Sequence, residues 1–317
     1  MTTTPSCFPS ADKLRIGFIG AGRLGKVLAW SLAGTGLRVS AVASGTSANA
    51  RALAGPIPGC VTADAQAVVD SCDLVFVTTP DGAITTTTAA LRWRPGMAAV
   101  HCSGVTEVSA LAGASRDGAL VGGFHPMQTF ADPGAAMASL PGSTITLEAS
   151  EPLMAALEAL TKRLGCRVNR LPPGMRGRYH AAAGYASQFI NALFGEATAI
   201  WRSWGATDED ALKALLPMAQ GTLASIASAG IAGGMPGPVS RGDVSSVEKH
   251  VAALSQLGEG TIGFYRQLCA STVPLALARG AIDAAQAQRI LAVLGTVQES
   301  AFAHDHALVS ASPVQPR

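Results

Sequence analysis

Aromatic residues make up only 5% of this 317-residue chain and charged residues only 14%, with a formal net charge of +2. Long runs of lysine or arginine are absent. A nucleic-acid partner is therefore not expected, because neutralising phosphates takes a concentrated basic face. No stretch reaches the roughly 18 uninterrupted apolar residues of a membrane helix, so no membrane partner is expected either. The six cysteines (Cys7, Cys60, Cys72, Cys102, Cys166 and Cys269) form neither a CxxC pair nor a zinc-like cluster. They read as reduced thiols of a cytoplasmic protein, and no metal site is expected. His304 and His306 read as surface residues. Residues 1–12 are polar, carry two prolines and have no apolar h-region. That segment reads as a loose tail and not as a signal peptide.

What is abundant is apolar and small: 48% hydrophobic residues and 35 glycines. This composition suits closely packed α/β layers better than a β-sandwich. Apolar strands are predicted at Leu14–Ile19, Arg38–Ala43, Leu74–Thr78, Ala98–His101, Leu120–Phe124 and Thr144–Glu148. Helices are predicted at Leu24–Ala33, Ser47–Leu53, Ala63–Ser71, Gly82–Leu91 and Pro152–Leu164. Near-continuous apolar strands alternating with helices indicate a doubly wound parallel sheet. After Pro172, Pro173 and Gly174, alanine-rich helical periodicity takes over: Arg176–Trp204, Asp208–Ala229, Val244–Leu257, Thr261–Ala278 and Asp283–Phe302. Thr207 with Asp210 forms a capping-box-like start, and Gly230 a stop. The expected organisation is a tail at 1–12, a Rossmann domain at 13–171, an all-α domain at 172–305 and a second loose tail at 306–317.

The first strand runs into Gly20-x-Gly22-x-x-Gly25 and then a helix. In that setting Gly20 permits the tight turn, Gly22 lets the backbone approach a diphosphate, and Gly25 lets helix pack on strand. The helix start at Arg23 and Leu24 supplies amide hydrogens for phosphate. The second strand ends Ser44-Gly45-Thr46, with no carboxylate to hold ribose hydroxyls or repel a 2′-phosphate. NADP is thus favoured over NAD. Two further loops, Thr78-Thr79-Pro80 and Ser103-Gly104, lie at the strand ends where such sheets bind ligands.

Several side chains are candidates for chemistry. His125, biased toward extended backbone by Pro126, is either a proton donor or a structural histidine. On a continuous helix, His180, Gly184, Ser187 and Asn191 fall within about 40° of one another. They make either a cleft-lining stripe or a helix–helix seam. Arg241 can clamp a substrate carboxylate, whereas Asp243 reads equally well as an N-cap. Ser103 falls where a nicotinamide carboxamide or substrate would sit, and Cys102 reads as a small core residue. His250 reads as packing or a dimer contact.

Ile19–Gly25, His101-Cys102-Ser103-Gly104, Gly123–Phe130, Tyr179–Ala183 and Gly237–Asp243 occur in this order, followed by His250. The chain resembles the Rossmann-like proteins carrying the domain of unknown function DUF2520. These are distant relatives of pyrroline-5-carboxylate reductase and of coenzyme-F420-dependent NADP oxidoreductases. The resemblance implies a Rossmann domain joined to a helical domain that commonly dimerises, and it marks Gln128 and Ser240 within its specific blocks as substrate-side residues. This chain departs from the family at Gly45, where an Arg is frequent, and at Gln188, where many carry Asn. The expected function is an NADP-dependent oxidoreductase delivering hydride across an interdomain cleft to a small carbonyl or imine bearing a carboxylate, such as a 2-oxo acid of the ketopantoate kind. The alternatives are a non-catalytic dinucleotide-binding sensor or scaffold, and an F420-dependent reductase.

Overall fold

The computed structural model describes residues 8–295. Eight strands form one sheet: β1 (Arg15–Ile19), β2 (Arg38–Ala43), β3 (Val61–Thr62), β4 (Leu74–Val77), β5 (Ala98–His101), β6 (Leu120–Pro126), β7 (Thr144–Ala149) and β8 (Arg167–Arg170). Their order is β3-β2-β1-β4-β5-β6-β7-β8. Every neighbouring pair is parallel except β6 and β7. The accompanying helices are α1 (Arg23–Gly34), α2 (Ser47–Ala54), α3 (Ala65–Ser71), α4 (Ile84–Ala89), α5 (Ala112–Arg116), α6 (Pro133–Ser139) and α7 (Leu153–Arg163).

Side chains alternate across the strands, so the sheet buries both faces. One face packs Ile16, Phe18, Phe76 and Phe124 against Leu28 and Leu32 of α1 and Leu157 of α7. The other packs Val75, Val77 and Ala99 against Val68 and Val69 of α3 and Ile84 of α4. Phe18 stacks on Phe76 at 5.2 Å, and Phe76 meets Phe124 edge-on at 5.3 Å. Burying each such ring contributes about 2–3 kcal/mol.

Helices α8 (Arg176–Tyr185), α9 (Gln188–Arg202), α10 (Asp208–Gly233), α11 (Val244–Ser255), α12 (Glu259–Ala278) and α13 (Ala284–Leu294) complete the chain. The chain divides into two compact units, Met1–Gln188 and Phe189–Arg317. The second unit has its own core, in which Val247 of α11, Val273 of α12 and Ile290 and Leu294 of α13 meet. A reciprocal capping box between Asp283 and Gln286 starts α13.

Strands β3 and β8 and helices α5 and α6 add to the expected elements, and three boundaries differ from the sequence expectation. The helix expected over Arg176–Trp204 is two helices, because the chain turns at Ala186 and Ser187 with N–H bonds back to Ala183 and Gly184. The unit carrying the sheet therefore extends past Pro172 and includes α8. The expected loose tail ends early, since Phe8 and Ala11 are buried in the core of that unit. The expected continuation of the last helix to Phe302, Cys7, His304, His306 and the 306–317 tail all lie outside the described residues. The helical geometry of α10 breaks at Gly230, whose φ is 74°.

Candidate functional site

The carboxyl ends of β1, β2, β4 and β5 open onto a cleft of about 790 Å³. The three glycines of the β1–α1 turn have different surroundings, and each follows from its place. Gly20 has φ 111°, and a Cβ there would lie 2.5 Å from the Thr78 carbonyl. A Cβ on Gly25 would lie 2.7 Å from the Gly20 oxygen and 2.8 Å from Thr78 Oγ1. A Cβ on Gly22 would meet nothing within 4 Å. The outer glycines are thus required by the protein's own packing, while the middle one leaves room in the cleft. Thr78 Oγ1 donates to Gly20 O at 2.7 Å and holds the turn closed.

Gly20, Gly22, Arg23 and Leu24 line the cleft on one side. Ser44, Thr46 and Asn49 line it at the end of β2, and Thr78, Thr79, Pro80 and Ser103 at the ends of β4 and β5. Thr79 Oγ1 is buried without a hydrogen-bond partner among the described residues. The N-cap of α1, Gly22, offers no side-chain oxygen to the first-turn amides. Such amides carry partial positive charge and suit phosphate. An open space beside Gly22, unfilled amides and an orphan hydroxyl fit a dinucleotide.

Just past the cleft wall at Ser103, buried Gly104 adjoins two histidines. A Cβ on Gly104 would lie 2.9 Å from His125 Nε2 and 2.4 Å from His180 Cδ2. The His125 and His180 rings are edge to face at 6.1 Å. His125 Nδ1 hydrogen-bonds the Tyr179 hydroxyl at 2.7 Å. Burial, then the neighbouring His180 and Arg176, hold the His125 pKa down to about 4, so its ring is neutral at pH 7. His101 at the end of β5 is depressed further, to about 3, chiefly by burial.

Helix α8 is fixed over this corner by charge. Arg176 is fully buried; its Nε donates to Glu148 at 2.6 Å and its Nη1 to the Ser103 carbonyl at 2.7 Å. Glu107 accepts from the backbone N–H groups of Gly174 and Arg176, which the N-cap residue Met175 leaves unsatisfied. Arg176, Glu148, Glu107 and Tyr179 were not singled out from the sequence. Arg176 read simply as a helix start, and nothing local marks an arginine for burial. Tyr179 stands in the Tyr179–Ala183 block of the family resemblance, but nothing in the sequence gives it a role of its own.

The remaining candidates occupy other positions. Ser103 Oγ accepts from the amides of Val105 and Thr106 and donates to Thr106 Oγ1, so its hydroxyl serves its own turn. Gln128 donates to Ala136 O and Ser139 Oγ, fastening α6. Ser187 Oγ bonds Ala183 O at the turn that splits the expected stripe, and Asn191 lies beyond it on α9. In the second unit, Ser240 Oγ bonds Gly237 O. Asp243 caps α11 by accepting from Ser246 N. Arg241 is exposed and makes no ion pair among the described residues. His250 bonds the Tyr265 hydroxyl at 2.9 Å. Cys102 is buried, and burial raises its thiol pKa. Cys60, Cys72, Cys166 and Cys269 are free like it. No cluster of metal-ligating side chains is present among the described residues.

Residues 4–126 match the family described as Rossmann-like domain, and residues 143–272 match the domain of unknown function DUF2520. No curated protein matches the sequence significantly. Among solved structures, a Thermotoga maritima protein is 21% identical with a TM-score of 0.70, covering 84% of this chain and 99% of its own. A Bacteroides fragilis protein provisionally named an NADP oxidoreductase is 24% identical with a TM-score of 0.66, covering 84% and 100%. An Aspergillus terreus reductive aminase, in complex with NADPH and ethyl-5-oxohexanoate, is 18% identical with a TM-score of 0.60, covering 94% and 98%. At these identities the likeness is one of fold.

Proposed function

We propose that this chain, a Rossmann-like domain joined to DUF2520, is an NAD(P)-dependent reductase of a small carbonyl or imine compound. The observation that carries the reading is continuity. The glycine-cradled cleft ends at Ser103, and the next residue, Gly104, is bare so that His125 and His180 can close on it. The reductive aminase of similar fold, with its NADPH, supports a nicotinamide in such a cleft.

The amides of the α1 start and Arg23 would hold the diphosphate, and Ser44, Thr46 and Asn49 the adenosine ribose. With no carboxylate lining that end of the cleft beside β2, a 2′-phosphate is accommodated, which favours NADP. When bound, the nicotinamide supplies a hydride. The chain's own part is to steady the oxygen or nitrogen that gains electrons. His125, neutral at pH 7, does so by donating a hydrogen bond from Nε2, which costs less than bringing a charged ring into a buried site. His180 is exposed beside it.

The test is oxidation of NADPH and NADH by purified protein across a panel of 2-oxo acids and cyclic imines, with a deazaflavin as a third cofactor probe. Turnover should require NADPH, and His125→Ala should lower kcat/KM by about 100-fold or more. Silence across the whole panel, or turnover with the deazaflavin alone, refutes the assignment.

We infer also that α10 is covered by a second copy of the chain. Its buried residues are limited to Ala211, while Leu216, Met218, Leu223 and Ile231 are strongly exposed. It is the one described helix long and apolar enough to cross a membrane, with mean hydropathy 1.3. The uninterrupted-run criterion missed it, because Gln220, Thr222, Ser225 and Ser228 punctuate an otherwise apolar segment. A rod about 35 Å long, buried around most of its girth, supplies the about 800 Å² per partner of a stable interface. Light scattering should give twice the chain mass, and Leu223→Glu should halve it. A monomer that sediments with lipid vesicles would point to a membrane instead.

A further inference from the structure

The chain that leaves β6 does not remain beside its own strand. β4 and β5 stand between β6 and β1, yet the next helix, α6, packs on α1, which follows β1. Ala136 and Leu140 of α6 share one core cluster with Leu28 and Leu32 of α1. To arrive there the chain crosses the carboxyl ends of β5 and β4. Phe130 and Ala131, in the middle of the crossing, line the cleft together with Thr78 and Ser103. Phe130 is the one aromatic ring in that lining among the described residues. It is half-buried, packed against the core of the sheet.

Both ends of the crossing are fastened. The Met127 N–H donates to Thr144 O at 2.8 Å, and the Gln128 side chain donates to Ala136 O at 2.9 Å. At the far end Asp132 caps α6, accepting from Ala135 N at 2.7 Å. Between these anchors the backbone N–H groups of Thr129, Phe130 and Ala131 make no hydrogen bond among the described residues. Arg23 reaches this stretch from the first turn of α1, its Nη1 donating to Ala131 O at 3.3 Å. That bond is long. A guanidinium carries five N–H donors in a rigid fork, so Arg23 can turn others to an anion in the cleft while Nη1 stays on Ala131.

We propose that residues 129–131 are a clasp over the dinucleotide, in which Arg23 bridges a cofactor phosphate to the Ala131 carbonyl and Phe130 covers the nicotinamide side of the diphosphate. The inference rests on the reading of this cleft as a dinucleotide site. Phosphate draws a guanidinium by charge-assisted bonds, stronger than its bond to a neutral carbonyl. Once held there, Arg23 is a fixed donor for Ala131, and the three unbonded residues are ordered by the ligand. The side that Phe130 covers follows from the direction of approach. The adenosine end of the cleft lies at Ser44 and Thr46, beyond β1, whereas the segment arrives from β6 past Ser103. An aromatic ring on that path meets the nicotinamide half of the cofactor.

Amide hydrogen exchange and ligand affinity of the full-length protein read the clasp without any turnover. Saturating NADPH should slow exchange at residues 129–131 of the wild type by about 10-fold or more. Phe130→Ala should weaken NADPH by about 10-fold. It should leave unchanged the affinity for adenosine 2′,5′-bisphosphate, which ends at the first phosphate. Arg23→Met should weaken both ligands and abolish the protection at 129–131 even when NADPH is saturating. Equal losses for the two ligands in Phe130→Ala would mean that the ring supports the fold and not the cofactor, and would overturn the proposal. Exchange at 129–131 indifferent to saturating NADPH, or protection that survives Arg23→Met, overturns it too. If NADPH fails to bind the wild type at all, the dinucleotide reading falls and the clasp with it. If NADPH binds and these signatures are missing, the clasp alone falls.

Discussion

Gly22→Asp should bind NADPH at least about 100-fold more weakly than wild type, a loss of about 2.7 kcal/mol, while folding as well as wild type. The separation of binding from folding is the point of the experiment. Gly22 has φ −72°, so an L side chain fits the backbone, and its Cβ would touch nothing within 4 Å. Aspartate is also among the best N-cap residues, so the start of α1 loses nothing. The new carboxylate would instead stand where a diphosphate must approach, in a place otherwise favourable to anions. The measurement is thermal stabilisation by NADPH, which ligand linkage raises in wild type and should not raise in the variant. Gly25→Val is the contrast. There the β-carbon collides with Gly20 O and Thr78 Oγ1, and stability itself should fall. Unchanged NADPH affinity in Gly22→Asp would remove the basis for a dinucleotide in this cleft.

Arg176→Met should cost about 3–5 kcal/mol of stability, the largest loss expected from a single side chain outside the apolar core. The guanidinium is fully buried and carries the ion pair to Glu148, a residue with only 7% of its surface exposed. Removing it strands a carboxylate away from water and frees the Ser103 carbonyl as well. Replacing both partners, Arg176→Met with Glu148→Leu, should recover most of the loss, because no charge is then left uncompensated. Gly123→Ala tests the same site from the other side: its added carbon would overlap Arg176 Nη2. Urea denaturation of the four proteins measures the terms. A single-variant loss below about 1 kcal/mol would mean that water or another group reaches Glu148 readily.

The parts of this architecture legible in the sequence are those written locally. Six of the eight strands begin and end close to their apolar runs, and the glycine turn follows from spacing alone. Strand β3 is two residues long and β8 reads Arg-Val-Asn-Arg, so neither has enough apolar periodicity to be seen. Helix α6 was missed although Asp132 caps it and Pro133 opens it; that signal was present and unused. The break between α8 and α9 leaves no mark, since small residues continue through Ala186 and Ser187. The polar corner is illegible for a different reason. His125, Thr146 and Asn169 are neighbours only through strand register, with β7 running opposite to β6. Tyr179 joins them because a buried arginine anchors its helix. Sequence spacing carries no information on such long-range pairings, so it points to His125 and His180 without the residues that surround them.

A sheet eight strands wide has two borders, and both are poor templates for a ninth. One ends in a strand too short to offer more than a pair of rungs. The other begins and ends in an exposed arginine, which an incoming chain would have to strip of water before pairing. Unsatisfied backbone along such margins is where extended polypeptides recruit one another into aggregates. The strand that supplies Asn169 to the Thr146 hydroxyl therefore also seals the rim of the molecule against that fate.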